Sequence, residues 1–220
     1  MSDEASSPTP FGPTPELGPL ASVWLARRHP VRDPHATADR ARLTAVLSER
    51  GLPSSEAVVA FEARFGGVRF TDVGRMPGVD FVLGAYALLK DDPSTPKRGS
   101  LVPVVLSDDD VWYFLDSEGI VWAEDVEDPE PVPFATAATI ALARLVLYRR
   151  AFEDRHAFGG IDREGHHAEA IARTLGLPPI AHATDRLARF FGDAESLVIE
   201  HEVEGEPLTT IVGRAARELG

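Results

Sequence analysis

Ser55-Glu56-Ala57-Val58-Val59-Ala60-Phe61-Glu62-Ala63-Arg64-Phe65-Gly66-Gly67 is the stretch whose reading decides the fold. Its spacing sets Val58, Phe61, Glu62 and Phe65 along one side of a helix, behind a Ser54 or Ser55 cap and with Pro53 just before it. Gly66-Gly67 stops that helix, because one of the two can take the left-handed conformation that closes a last turn. The chain is then expected to leave as a strand through Val68 and Phe70.

Working downstream, a strand is expected at Val79 to Leu83, and Ala85 to Leu89 fits helix or strand equally. Residues 91 to 100 have the composition of a loop. Leu101 to Leu106 and Val111 to Leu115 read as strands. Asp116-Ser117-Glu118-Gly119 turns the second of them into a third at Ile120 to Ala123, with glycine where a hairpin takes positive φ. The product is an antiparallel meander. Glu124 to Pro133 reads as an acidic, proline-containing loop, and an apolar helix follows from about Thr136 to Phe152.

Upstream, residues 1 to 20 are rich in Pro and Ser and carry few large apolar groups, so a disordered tail is expected. Helices are expected at Leu20 to His29 and at Ala36 to Arg50, the second stopped by Gly51. Beyond residue 153, Ile161 to Leu175 and Thr184 to Phe191 read as helices, with strands at Leu197 to Val203 and Leu208 to Val212. The fold class is therefore α+β: a central antiparallel sheet covered by helices, with an α/β C-terminal extension. The expected divisions are a tail over 1–20, an α+β domain over 21–153 and a helix-helix-hairpin extension over 154–220.

Composition narrows the function. The 220-residue chain has no cysteine, which removes disulfides, thiolate metal sites and thiol nucleophiles and fits a reducing compartment. The start is acidic and lacks the features of a signal peptide, and the longest apolar run, Ala135 to Leu147, already contains Arg144. A cytoplasmic protein without a membrane partner is expected. A formal charge of −13 repels nucleic-acid phosphates and favours encounter with basic proteins.

The order of elements and several residues resemble the SUKH superfamily, which includes bacterial immunity proteins against secreted toxins and fungal regulators of cell-wall synthesis. The matching residues are the helix Ser55 to Phe65 running into Gly66-Gly67, the strand Val111-Trp112-Tyr113-Phe114-Leu115-Asp116 with Gly119 in its turn, and the closing helix from about Ala135; together they span roughly residues 43 to 152. The resemblance implies binding rather than catalysis: a protein that sits on a toxin domain and blocks its active site.

Charge placement bears on this separately. Between Arg98 and Arg144 there is no Lys or Arg, while Asp108, Asp109, Asp110, Asp116, Glu118, Glu124, Asp125, Glu127, Asp128 and Glu130 fall in that gap. An acidic surface suits a partner whose own site is basic. The candidate partner-binding residues are Asp108, Asp109, Asp110, Trp112, Glu124, Asp125, Glu127 and Asp128. Turn acids also serve only to keep strand edges solvated. Trp112 and Trp122 flank the hairpin, where aromatic side chains either anchor a partner or pack across strands.

Other chemistry is thinly represented. His156, His166, His167, His182 and His201 lack the spacing of a zinc site, and His166-His167-x-Glu169 reads as a solvated helix start. Acidic pairs abound without a cue for a raised pKa. No phosphate-cradling loop or nucleophile elbow occurs. No metal, cofactor or catalytic residue is expected. The alternatives are a small non-metal hydrolase using a carboxylate or His156, His166 and His167, and a non-catalytic scaffold or dimerisation module.

Overall fold

The computed structural model describes residues 7–12, 14–71, 80–90, 95–96, 98–107, 111–125, 129–203 and 205–219. In chain order the elements are β1 (Thr9–Pro10), α1 (Gly18–Ala26), β2 (Val31–Arg32), α2 (Arg40–Glu49), α3 (Glu56–Phe65), β3 (Val68–Thr71), β4 (Asp80–Leu83) and α4 (Ala85–Leu89). They continue as β5 (Val102–Leu106), β6 (Trp112–Leu115), β7 (Val121–Glu124), β8 (Val132–Ala135), α5 (Ala138–Phe158), β9 (Gly160–Glu164), α6 (Ala168–Leu175), β10 (Ala188–Gly192), β11 (Ser196–Val203), β12 (Glu206–Gly213) and α7 (Arg214–Leu219). The fold is mixed α+β with a meander, in line with the sequence expectation. It divides into two compact units, residues 1–13 with 25–134, and residues 14–24 with 135–220. Helix α5 thus belongs with the C-terminal residues, whereas the sequence reading closes the first domain after it.

The first unit is a sheet in which β1 to β8 lie side by side in sequence order. Helix α3 forms where the periodicity places it: Ser55 accepts the Val58 N–H at 3.3 Å, and Val58, Phe61, Glu62 and Phe65 are the buried side. Gly67 carries the positive φ of 71°, while Gly66 stays at −53°. Helix α2 starts at Arg40 rather than Ala36 because Asp39 caps it through the Arg42 N–H, and Pro34–Ala36 form a separate 3-10 turn. Ala85–Leu89 is helix, with α4 packed on β5. Between Pro103 and Val105 the register with β6 shifts, a place for a bulge since proline has no N–H to give the ladder.

Two elements escape the sequence reading. Thr9–Pro10 pair with Val31–Arg32, and the Phe11 ring lies 6.5 Å from that of Phe65, so this part of the expected tail is an edge strand held by one aromatic. Val132–Ala135 is a strand despite Pro133, at the opposite edge of the sheet, where a missing N–H is tolerated.

The second unit is a four-stranded antiparallel sheet in the order β10-β11-β12-β9. Period-2 alternation assigns its faces. Val198 and Ile211 face α6 and α7 in a core with Ala168, Ala172, Leu177, Ala215 and Ala216. Phe190, on the other face, meets Tyr148 of α5 edge-on at 5.2 Å. The expected helix Ile161 to Leu175 is corrected: Gly160–Glu164 is an edge strand, turned by Gly165 at φ 67°, and the helix begins at Ala168. Edge exposure removed the apolar alternation that would have betrayed the strand. The expected helix Thr184 to Phe191 is likewise corrected to a turn and strand, in which Phe190 is buried and Phe191 points to the opposite face. Among the described residues, no helix is long and apolar enough to cross a membrane.

Candidate functional site

The register across the meander fixes where its acidic connections leave. Leu106 pairs with Trp112, and Trp112 with Glu124, so these three stand in one row. The described ends of both connections, Ser107 and Val111 of one and Asp125 of the other, therefore leave the same end of the sheet. Asp108, Asp109, Asp110, Glu127 and Asp128 lie outside the described residues. Asp125 and Glu130 are exposed at that end, and Trp112 is half-buried, its ring stacked on Phe114 at 6.5 Å.

Glu124 does not present an open carboxylate, which corrects its place in the candidate surface. It is 5% exposed and holds Arg98 through two contacts of 2.5 Å, from Nε and Nη2. The last cation before the base-free gap folds back onto the gap's own acid. Asp116, at the other end of the sheet, is also committed: its carboxylate accepts the N–H groups of Glu118 and Ile120 at 2.9 Å and the Trp122 indole N–H at 3.0 Å. Trp122 is thereby fixed as part of the hairpin.

Glu62 is a second buried acid of the first unit. The Tyr86 N–H reaches Oε2 at 3.3 Å, while Oε1 has no hydrogen-bond partner. A Cβ on Gly66 would come 2.4 Å from Oε1, and one on Gly84 3.0 Å from Oε2, so two glycines make the room this carboxylate occupies. Burial raises its pKa; the backbone N–H groups of Tyr86, Ala38 and Ala85 and the Arg32 charge oppose this without cancelling it. It ties α3 to the start of α4 and is walled off from solvent at 3% exposure, which makes it structural.

The sequence reading missed a second site, a cavity of about 280 Å³ in the C-terminal unit. His167 immediately precedes α6, and the helix's first N–H, of Ala168, is accepted by Glu200 of β11 at 2.6 Å. The His167 Nδ1 lies 3.4 Å and the Arg189 Nε 3.8 Å from the same carboxylate. His201, Arg186 and Glu202 complete the polar lining. Burial lowers the His201 pKa, with the Asp162 charge opposing, so its ring is neutral near pH 7. A carboxylate beside an imidazole is an arrangement that can orient a general base. The described lining supplies no serine, threonine or cysteine to act as nucleophile. His166 contributes its carbonyl, which accepts the Thr209 hydroxyl at 2.6 Å, and His182 packs against Gly18. Among the described residues no group of His, Asp or Glu is arranged to hold a metal ion.

Comparison of the chain with protein-family models, with curated proteins and with solved structures finds no match in any of the three.

Proposed function

We propose that this is a non-catalytic binding protein of the SUKH immunity type, whose partner is a basic toxin domain met by the acidic end of the meander. One observation carries the reading: the row Leu106, Trp112, Glu124 sends two acid-bearing connections from the same end of one sheet. Acids gathered there raise the encounter rate with a cationic surface and align it, an effect that salt screens. Glu124 is internal to the fold, and the contact surface comprises Asp125 and Glu130 with Trp112 beside them; the candidates Asp108, Asp109, Asp110, Glu127 and Asp128 lie outside the described residues.

The test is capture of proteins from native lysate by the purified chain at low and high salt, followed by expression of the captured protein alone and together with this one. A basic partner, released by salt, lethal alone and harmless with this chain, is the expected result. An Asp125→Lys/Glu130→Lys variant should fold normally and associate more slowly. Retention of nothing at low salt, or association unchanged by the double substitution, sinks the acidic-surface reading.

A further inference from the structure

Within the C-terminal cavity the charges fall into two groups. Glu200 is occupied by the Ala168 N–H at 2.6 Å and is flanked by His167 and Arg189. Arg186 and Glu202 are different. Both are exposed residues lining the same cavity, and neither has an ion-pair or hydrogen-bond partner among the described residues. The His201 ring alternates to the opposite face of β11 from Glu202, and its Nδ1 is buried there, outside the open space. One open guanidinium and one open carboxylate thus share a small space.

A guanidinium fork matches a carboxylate, and a carboxylate accepts from an ammonium group. A simple anion in this cavity would be repelled by Glu202, and a simple cation by Arg186. We propose that the cavity binds a small zwitterion with an amino-acid head group, Arg186 holding its carboxylate and Glu202 its ammonium. The volume agrees: about 280 Å³ lies just under the roughly 300 Å³ at which pockets for drug-sized ligands begin, which suits a free amino acid or a dipeptide. The position of Arg186 is built into the fold, because Asp185 accepts the Leu187 N–H at 2.7 Å and fixes the turn that carries it.

The test is titration of the full chain with the common L-amino acids one at a time, and with acetate, methylammonium and inorganic phosphate, followed by amide chemical shifts. At least one amino acid should bind saturably, about tenfold or more tighter than acetate, methylammonium or phosphate. Arg186→Ala and Glu202→Gln should each weaken it by about tenfold or more at unchanged melting temperature, since both positions are exposed. Three results would overturn the assignment: no saturable binding of any amino acid, binding of phosphate or acetate as tight as the best amino acid, or an affinity that either substitution leaves unchanged.

Discussion

Arg144 and Asp185 form an ion pair inside the C-terminal unit, with side chains 1% and 8% exposed. Each charge is further satisfied. Arg144 donates from Nε to the Ala183 carbonyl at 2.8 Å and from Nη2 to the Ala188 carbonyl at 3.1 Å. Asp185 accepts the Thr136 N–H at 2.8 Å, its hydroxyl at 2.9 Å and the Leu187 N–H at 2.7 Å. The pair joins α5 to the turn entering β10, the turn that carries Arg186 to the cavity. A buried pair earns its place only when such additional bonds offset desolvation.

Asp185→Ala should therefore destabilise the protein by about 3–5 kcal/mol, since it leaves a buried guanidinium uncompensated. Breaking the exposed Arg214–Glu195 pair, with side chains 45% and 64% exposed, should cost under about 1 kcal/mol. Urea unfolding of the two variants checks the contrast. Burial pushes the Asp185 carboxyl up, but the Thr136 and Leu187 N–H groups, Arg144 and the Thr136 hydroxyl outweigh it and hold the pKa at about 2. The stabilisation is complete above the ordinary 3.8 and is lost as pH falls from there through about 2.

The same residue shows what was legible in the sequence. Arg144 interrupts the apolar run from Ala135 to Leu147, and sequence alone gives no sign that a charge there has an acid 41 residues on to meet it. Helix α3 and the meander were readable because their determinants are local: a serine cap, a helical period and glycines in the turns. Strands β9 and β10 were not, because their pairing partners, β12 and β11, come later in the chain, and an edge strand of Ile161-Asp162-Arg163-Glu164 has no apolar alternation to show. The acidic stretch was visible as charge, but Glu124 was misplaced because Arg98 returns to it from outside the counted gap. The cavity needs His167, Arg186 and Glu200 from three separate segments, and nothing local announces that.

Gly67 and Gly51 offer a paired test of backbone strain. Both have positive φ, 71° and 68°, but a Cβ on Gly67 would lie 2.5 Å from the Asp33 carbonyl oxygen, whereas one on Gly51 meets nothing within 4 Å. Gly51→Ala should cost about 1–2 kcal/mol, the strain of a left-handed non-glycine residue. Gly67→Ala should cost clearly more, because backbone must also move. Equal midpoint shifts in urea would show that the contact at Asp33 is relieved without cost.

The hairpin depends on Asp116 rather than on its neighbouring acid. Asp116→Ala removes both carboxylate oxygens, Oδ1 from two backbone N–H groups and Oδ2 from the Trp122 indole, and should destabilise by about 1–3 kcal/mol. Glu118→Ala, at an exposed turn position, should change stability by under about 0.5 kcal/mol. Asp116→Asn separates the contacts: its oxygen can still serve the turn, but its NH₂ group would face the indole N–H, donor to donor. The indole N–H proton resonance of Trp122 should shift in both Asp116 variants and stay in place in Glu118→Ala.

Glu62 gives the fold a pH dependence opposite in sign to that of Asp185. Burial raises its carboxyl pKa above the ordinary 4.5, so the native state keeps this proton to higher pH than the unfolded chain does. Its contribution is fully present below 4.5 and is lost as pH rises through the raised native value. Glu62→Gln keeps an oxygen for the Tyr86 N–H and removes the titration. The stability of the variant relative to the parent should therefore climb as pH is raised from 4.5 through the raised native value, then level off. Unfolding free energies of both proteins at a series of pH values report that difference directly, and other carboxylates cancel because they are common to both. A difference independent of pH would mean that the Glu62 carboxylate is ionised as readily in the core as in water, and that the two glycines beside it do more than make room.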